Sequence, residues 1–96
     1  MTPAEEERRG VEAEHLLTSA IYREAYEAIE ERLINLLASA DTDDERADRV
    51  RHLLIAHRKV RKHMEQIVTT GTMAAMHIER ERSVMERMRD RIRKVV

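Results

Sequence analysis

Apolar residues recur every three or four positions over most of this chain, which is the spacing of an α-helix that buries one face. From Val11 to about Ser39 they cover roughly 200° of a helical wheel, a wider arc than one partner helix needs. The apolar positions of this predicted helix A are Leu17, Ile21, Tyr22, Ala25, Tyr26, Ala28, Ile29, Leu33, Leu36 and Leu37.

A second periodic run begins near Asp43, where Thr42 and Glu45 have the spacing of a capping box. Its apolar stripe consists of Val50, Leu53, Val60, Met64 and Ile67, with His57 at a stripe position between Leu53 and Val60. We call this helix B. Because the loop between the two helices is short, the sequence predicts an all-α antiparallel helical hairpin over about 11–39 and 43–70.

The register of this hairpin follows from the position of the loop. With its midpoint near residues 41 and 42, apolar positions face apolar positions along the whole length. The predicted facing positions are Leu33 with Val50, Ile29 with Leu53 and Leu54, Tyr26 with His57, and Tyr22 with Val60.

The stretch 67–76, IVTTGTMAAM, raises the question of whether helix B stops there. The stripe continues without a change of phase through Gly71, Ala74, Ile78, Glu81, Met85, Met88, Ile92 and Val95. A continuous helix would cost up to about 3 kcal/mol for its three Thr and one Gly. The alternative is a stop, with Gly71 as a left-handed cap and Thr72 as the N-cap of a separate helix over about 72–95. We favour continuation, with Gly71 as a weak point or hinge.

In either case the hairpin partner ends before the chain does. In the facing register helix A reaches only to about residue 71, so part of the C-terminal stripe has no cover within the chain. These residues are Ile78, Met85, Met88, Ile92 and Val95. Such a narrow stripe suits a seam between chains, so we expect a coiled-coil-like homo-oligomer.

Three segments follow from these patterns. Residues 1–10 form a short N-terminal segment, with Thr2 as N-cap and Pro3 at the first helical position, and Gly10 weakens its continuation. Residues 11–71 form the helical hairpin. Residues 72–96 form a C-terminal helix for oligomerisation or partner binding.

Composition supports a long-helix protein and excludes other classes. The chain has two Gly, one Pro and no Cys, Phe or Trp, so a β-rich fold and a disulfide framework are not expected. It has no apolar run long enough for a membrane span, so we expect no membrane contact and a cytoplasmic location.

Charge is divided unevenly along the chain. Residues 1–45 carry 13 acidic and 4 basic residues, whereas 46–96 carry 6 acidic and 14 basic residues. Either an acidic helix lies beside a basic one, or the basic half binds nucleic acid.

Nothing in the sequence indicates catalysis. It lacks a phosphate loop and a nucleophile with a supporting base. One E-x-x-H, Glu12 to His15, has no second copy, and the Met73/Met76 and Met85/Met88 pairs fit an adaptable apolar seam better than a soft metal site. We therefore expect no enzyme activity, no cofactor and no metal.

Basic residues cluster in HRKVRKH (57–63) and RMRDRIRKVV (87–96). Arg58, Lys59, Arg61 and Lys62 are predicted to point away from the stripe, where they could contact phosphates without sequence preference. No aromatic residue lies among them for base stacking.

The spans AEHLLTSAIYREAYEAIEERLINLL and ERADRVRHLLIAHRKVRKHMEQIVTTGTMA resemble small helical proteins of tailed bacteriophages and prophages, encoded among packaging and head-assembly genes. The resemblance covers about residues 13–75 and carries no catalytic residues. It implies a role in virion assembly or DNA packaging, phage structural or packaging proteins as partners, and association with the virion.

Three functional hypotheses remain open. The first is a non-catalytic assembly protein that oligomerises through the wide face of helix A and the C-terminal stripe. The second is a helical module that binds nucleic acid, such as DNA, without sequence specificity. The third is a small phage-encoded inhibitor of a host protein.

Overall fold

A computed structural model of the chain describes residues 1–39 and 44–95. They form three helices, α1 (Pro3–Thr18), α2 (Ala20–Ser39) and α3 (Asp44–Val95), and the described residues contain no strand. Helices α1 and α2 pack one after the other along α3, antiparallel to it, in a molecule of 82 × 25 × 17 Å. The predicted all-α hairpin with a long C-terminal helix is confirmed.

The first helix begins earlier than the sequence predicted. The Oγ1 atom of Thr2 accepts a hydrogen bond from the Glu5 N–H at 3.2 Å, Pro3 occupies the first turn, and Glu5 and Glu6 lie near the positive end of the helix dipole. The helix then continues through Gly10, which is buried. The expectation of a separate N-terminal segment followed by a helix from Val11 is therefore wrong at this boundary.

Predicted helix A is also interrupted, at Ser19. This residue is extended (φ −63°, ψ 129°), and its N–H donates to the Leu16 carbonyl at 3.1 Å. The Thr18 hydroxyl donates to the Glu14 carbonyl at 2.9 Å, and the Ser19 hydroxyl oxygen accepts from the Tyr22 N–H at 3.5 Å. Thr18 and Ser19 thus form hydrogen bonds with backbone groups at the end of α1 and the start of α2. Predicted helix A is therefore two helices.

Helix α3 passes through residues 67–76 without a stop. No described residue has a positive φ, so Gly71 is helical and the alternative of a left-handed cap is wrong. The hydroxyls of Thr69 and Thr72 donate to the carbonyls of Glu65 and Val68 at 3.1 and 3.0 Å, within the helix itself. At 52 residues and about 1.5 Å per residue, α3 accounts for nearly the whole length of the molecule.

The reason for Gly71 lies on α1. A Cβ added at Gly71 would lie 2.8 Å from the Gly10 Cα and 2.9 Å from the Glu6 carbonyl oxygen. A Cβ added at Gly10 would lie 2.9 Å from the Gly71 Cα. Both obstacles are backbone atoms, so the two glycines allow α1 and α3 to approach more closely than any side chain would permit.

The predicted register is right at its centre and wrong at two stripe positions. Tyr26 and His57 lie against each other, as expected, with ring centroids 3.9 Å apart. Leu53 and Val60, however, are 57% and 58% exposed, whereas Leu54 is buried. Tyr22, which was predicted to face Val60, contacts Met64, with its O–H donating to the sulfur at 3.3 Å.

The structure has the helical phase that buries Leu54 and leaves Leu53 exposed. Arg61 lies over the Tyr26 ring, with its guanidinium carbon 5.1 Å from the centroid, in a cation–π contact. In this phase Val60 is exposed and Tyr22 packs against Met64. The predicted cap at Thr42 and the start at Asp43 lie outside the described residues.

Candidate association surfaces

Helix α1 packs against α3 only as far as about residue 78 of α3. Pro3 and Glu6 of α1 lie beside Met73, Ala74 and His77 of α3, and Ile78 is half-buried. Cover therefore extends about one heptad further than the predicted limit near residue 71, because α1 begins at Pro3. Of the predicted seam residues, Ile78 is thus partly covered within the chain.

The other four predicted seam residues are exposed. We call residues 79–95 the tail and name the tail stripe by its members Met85, Met88, Ile92 and Val95. Their exposed fractions are 59%, 57%, 64% and 87%. They continue the three-and-four spacing of Gly71, Ala74 and Ile78, where α1 packs, and no described residue of the tail is buried.

Charge changes sign along the tail. Residues 79–86 contain Glu79, Glu81 and Glu86 against two Arg, for a net charge of −1, and residues 87–95 contain four Arg and one Lys against Asp90, for a net charge of +4. Within the first half, Glu81 pairs with His77 at 3.1 Å and Glu86 with Arg82 at 3.6 Å. These exposed pairs contribute little to stability.

A polar cluster fixes the hairpin at its centre. The His57 ring stacks on Tyr26 with an angle of 21° between the planes, and its Nε2 lies 3.0 Å from the Tyr26 carbonyl oxygen. Glu30 and Arg58 form an ion pair at 2.7 Å close by. Burial, and then the neighbouring Glu30 carboxylate, raise the pKa of the Tyr26 hydroxyl above its ordinary value.

This cluster uses two of the four predicted phosphate ligands. Arg58 is held by Glu30, and Arg61 lies over Tyr26 and pairs with Glu65 at 3.3 Å. Within the part of the chain that the structure describes, Lys59 and Lys62 have no recorded side-chain partner. The four residues therefore do not form a uniform set of available cations.

The hairpin has two unlike faces. Successive residues are rotated about 100° around the helix axis. Around α2, Ile29 lies roughly 60° from Tyr26. Around α3, Leu53 and Val60 lie roughly 40° and 60° from His57, and all three rotations have the same direction when each helix is viewed from its N-terminus. Because the two helices are antiparallel, residues rotated in that direction lie on the same face of the hairpin. Glu30 and Arg58 are rotated the other way and meet on the opposite face.

The first face is apolar and exposed. We call it the hairpin face; it consists of Ala25, Ile29, Leu53, Ala56 and Val60, all of which are exposed. Leu53 and Val60 are positions of the predicted stripe of helix B, but LLI at 53–55 allows two helical phases, and the structure buries Leu54. The contact of Arg61 with the Tyr26 ring joins side chains that are distant in sequence, so spacing could not show it.

The border of the hairpin face is basic. By the same rotation, Arg32 is the one charged side chain of α2 on this side, and the four Glu of α2 point to the other face or outward. On α3 the border carries Arg49, His52 and His63, with Glu45 at the loop end. The hairpin face thus joins aliphatic side chains with positive charge.

Other kinds of site find no support in the described residues. No group of three or more His, Cys, Asp or Glu there could hold a metal ion, and no buried side-chain nitrogen or oxygen lacks a hydrogen bond. Among the same residues, no helix has the length and apolar character needed to cross a bilayer.

Comparison with known proteins adds no relative. No family model, no curated protein and no solved structure matches this chain.

Proposed function

We propose that this chain is a non-catalytic assembly protein that self-associates through the tail stripe. The observation that carries the proposal is the exposure of Met85, Met88, Ile92 and Val95 in phase with the stripe that α1 covers. Burying an apolar side chain of this size is worth about 1.5 to 3 kcal/mol. Four such residues on each chain provide a large drive for association.

The partner in this proposal is a second copy, paired antiparallel along the tail. Antiparallel pairing sets the half with a net charge of −1 against the half with a net charge of +4, twice. Parallel pairing would set the two +4 halves side by side, which is unfavourable. Centring the twofold axis near residues 86 and 87 places Met85 opposite Met88 and Val95 opposite Ile78 of the second copy, while Ile92 lies opposite Glu81.

We further propose that the assembly belongs to a tailed phage or prophage, in head assembly or DNA packaging. Support for this step comes from the resemblance of residues 13–75 and from the elongated shape of the molecule. Virion association and contact with phage structural or packaging proteins are part of the same proposal.

The experiment replaces Met85 and Met88 together by Ser and measures mass by sedimentation equilibrium over a range of concentrations. We expect the wild type to associate and the double variant to be monomeric at the same concentrations. Val11→Ser, an exposed apolar residue on α1, is the matched control and should associate like the wild type. A double variant that retains wild-type mass would refute the tail as the interface.

Nucleic-acid binding is the second candidate. The observation that favours it is the basic end of the tail, where Arg89, Arg91, Arg93 and Lys94 have no recorded side-chain partner within the described residues. The absence of aromatic residues in the tail limits this mode to phosphate contact without sequence preference.

A further inference from the structure

We infer that the hairpin face is a docking site for an acidic amphipathic helix of a partner protein. The face forms a groove between two antiparallel helices, with Ile29 on α2 and Leu53 and Val60 on α3. Seven residues, or about 10.5 Å, separate Leu53 from Val60 along α3, which matches two turns of a helix laid in the groove.

The exposed residues of the hairpin face are not needed to hold α2 against α3. Tyr26, Leu54 and Val50 already close the contact between α2 and α3, each at 8% exposure or less. Ile29, Leu53 and Val60 are each more than half exposed and lie outside this core, so they leave aliphatic side chains open on one face of the hairpin. Surfaces of this kind on small proteins mark interaction sites.

The positive charge at the border of the hairpin face favours a partner that carries carboxylates. Arg32 and Arg49 lie on the two sides of the groove. The Arg49 Nε donates to the Glu45 carbonyl within α3 at 3.4 Å, and among the described residues neither guanidinium forms an ion pair. A helix with Leu or Ile on one side and carboxylates on both flanks would bury its apolar residues and meet a cation on each border.

Two other occupants fit less well. A second copy would bring its own Arg32 and Arg49 against the same cations, and like charges at an interface repel. A nucleic acid would use the border but not the aliphatic floor, which offers no exposed aromatic ring for its bases.

The experiment uses the full chain and a fluorescent synthetic peptide of roughly 20 residues, long enough to form a helix, with Leu at heptad core positions and Glu at the flanks. Binding is measured by anisotropy. A Lys-flanked version and a scrambled version of the Glu peptide test charge and amphipathicity. We expect the Glu peptide to bind at least about tenfold more tightly than either.

Two pairs of variants locate the site. Arg32→Glu with Arg49→Glu reverses the charge of the border, and Arg23→Glu with Arg51→Glu makes the same change of net charge on the opposite face, where Glu30 and Arg58 meet. Leu53→Gln alters the floor, and Ile55→Gln is its control on an exposed residue turned away from the groove. The first member of each pair should weaken binding about tenfold or more, and each control should leave it within about twofold.

Three outcomes would overturn the inference. Peptide binding that ignores Leu53→Gln and the border reversal would place the site elsewhere. Loss of self-association in those variants would make a second copy the occupant. Competition by duplex DNA that depends on the border but not on Leu53 would make the face a phosphate-binding surface. The Met85→Ser, Met88→Ser chain should bind the peptide normally, so this result is independent of the tail.

Discussion

At the scale of single residues, the contact of Gly10 with Gly71 determines how α1 packs on α3. An Ala in the middle of a helix normally stabilises it by about 1 kcal/mol relative to Gly. Here the new Cβ at residue 71 would meet the Gly10 Cα at 2.8 Å, and overpacking of this kind costs about 1 to 3 kcal/mol. Gly71→Ala should therefore lower the melting temperature although the residue is helical.

The control for this prediction is Thr72→Ala, at an exposed position one residue away. Its helix propensity should raise stability by about 0.5 kcal/mol, since only the hydrogen bond to the Val68 carbonyl within the helix is lost. Gly10→Ala with Gly71→Ala should cost less than the sum of the single changes, because the helices separate only once. A Gly71→Ala protein more stable than the wild type would refute the close crossing.

Tyr26 gives the hairpin a pH dependence in the alkaline range. Its pKa is raised in the folded chain, so the folded state prefers the neutral hydroxyl. That contribution is complete below pH 10, the ordinary value, and is lost as pH rises through the folded pKa. Between pH 9 and about pH 11.5 the wild type should lose more stability than Tyr26→Phe, as measured by urea unfolding. Parallel losses in the two proteins would count against this account.

At the scale of elements, the antiparallel hairpin and the continuous C-terminal helix could be predicted from spacing, and the break at Ser19, which divides predicted helix A into α1 and α2, could not. Apolar residues keep their phase on both sides of Thr18 and Ser19, so periodicity does not register the interruption. The hydrogen bonds of the two hydroxyl residues make the break, and Ser and Thr are ambiguous because they also occur inside helices, as Thr69 and Thr72 do here.

Of the two exposed apolar surfaces, the tail stripe and the hairpin face, only one could be predicted from spacing. The exposed tail stripe could be predicted because it depends only on length, with α3 outrunning its partner helices. The hairpin face could not, because it depends on which of two helical phases packs inward. In the phase observed, Tyr26 packs against His57 and Arg61, and these contacts join side chains that are distant in sequence.

The tail and the packed part of α3 should separate by truncation. Removal of all residues after Glu79 keeps Met73, Ala74 and His77, which lie beside Pro3 and Glu6 of α1, so melting of the remaining monomer should be unchanged apart from its concentration dependence. Removal after Thr70 also deletes Gly71, Ala74 and Ile78, and should destabilise the protein by about 2 kcal/mol or more. Circular dichroism melting of the two products measures the difference.

At the scale of the whole molecule, the dependence on salt and on basic residues distinguishes nucleic-acid binding from assembly through apolar residues. If the chain binds duplex DNA, binding should fall steeply with salt because it depends on phosphate neutralisation. Changing Arg58, Lys59, Arg61 and Lys62 to Gln should then weaken it only in part, since Arg58 and Arg61 are already engaged. Fluorescence anisotropy at low and high salt tests this. Complete loss of binding in that variant would show that this cluster is required and that the basic end of the tail does not bind DNA by itself.

The central claim is that the uncovered tail of α3 pairs with the tail of a second copy. Small-angle scattering with in-line mass measurement tests it most directly. Two long helices that overlap only along their tails should give a dimer with a maximum dimension of about 130 Å at about 1.5 Å per residue, against 82 Å for one chain. The chain truncated after Glu79 should be a shorter monomer. A full-length monomer of about 82 Å at every concentration would contradict the account, as would a dimer no longer than one chain.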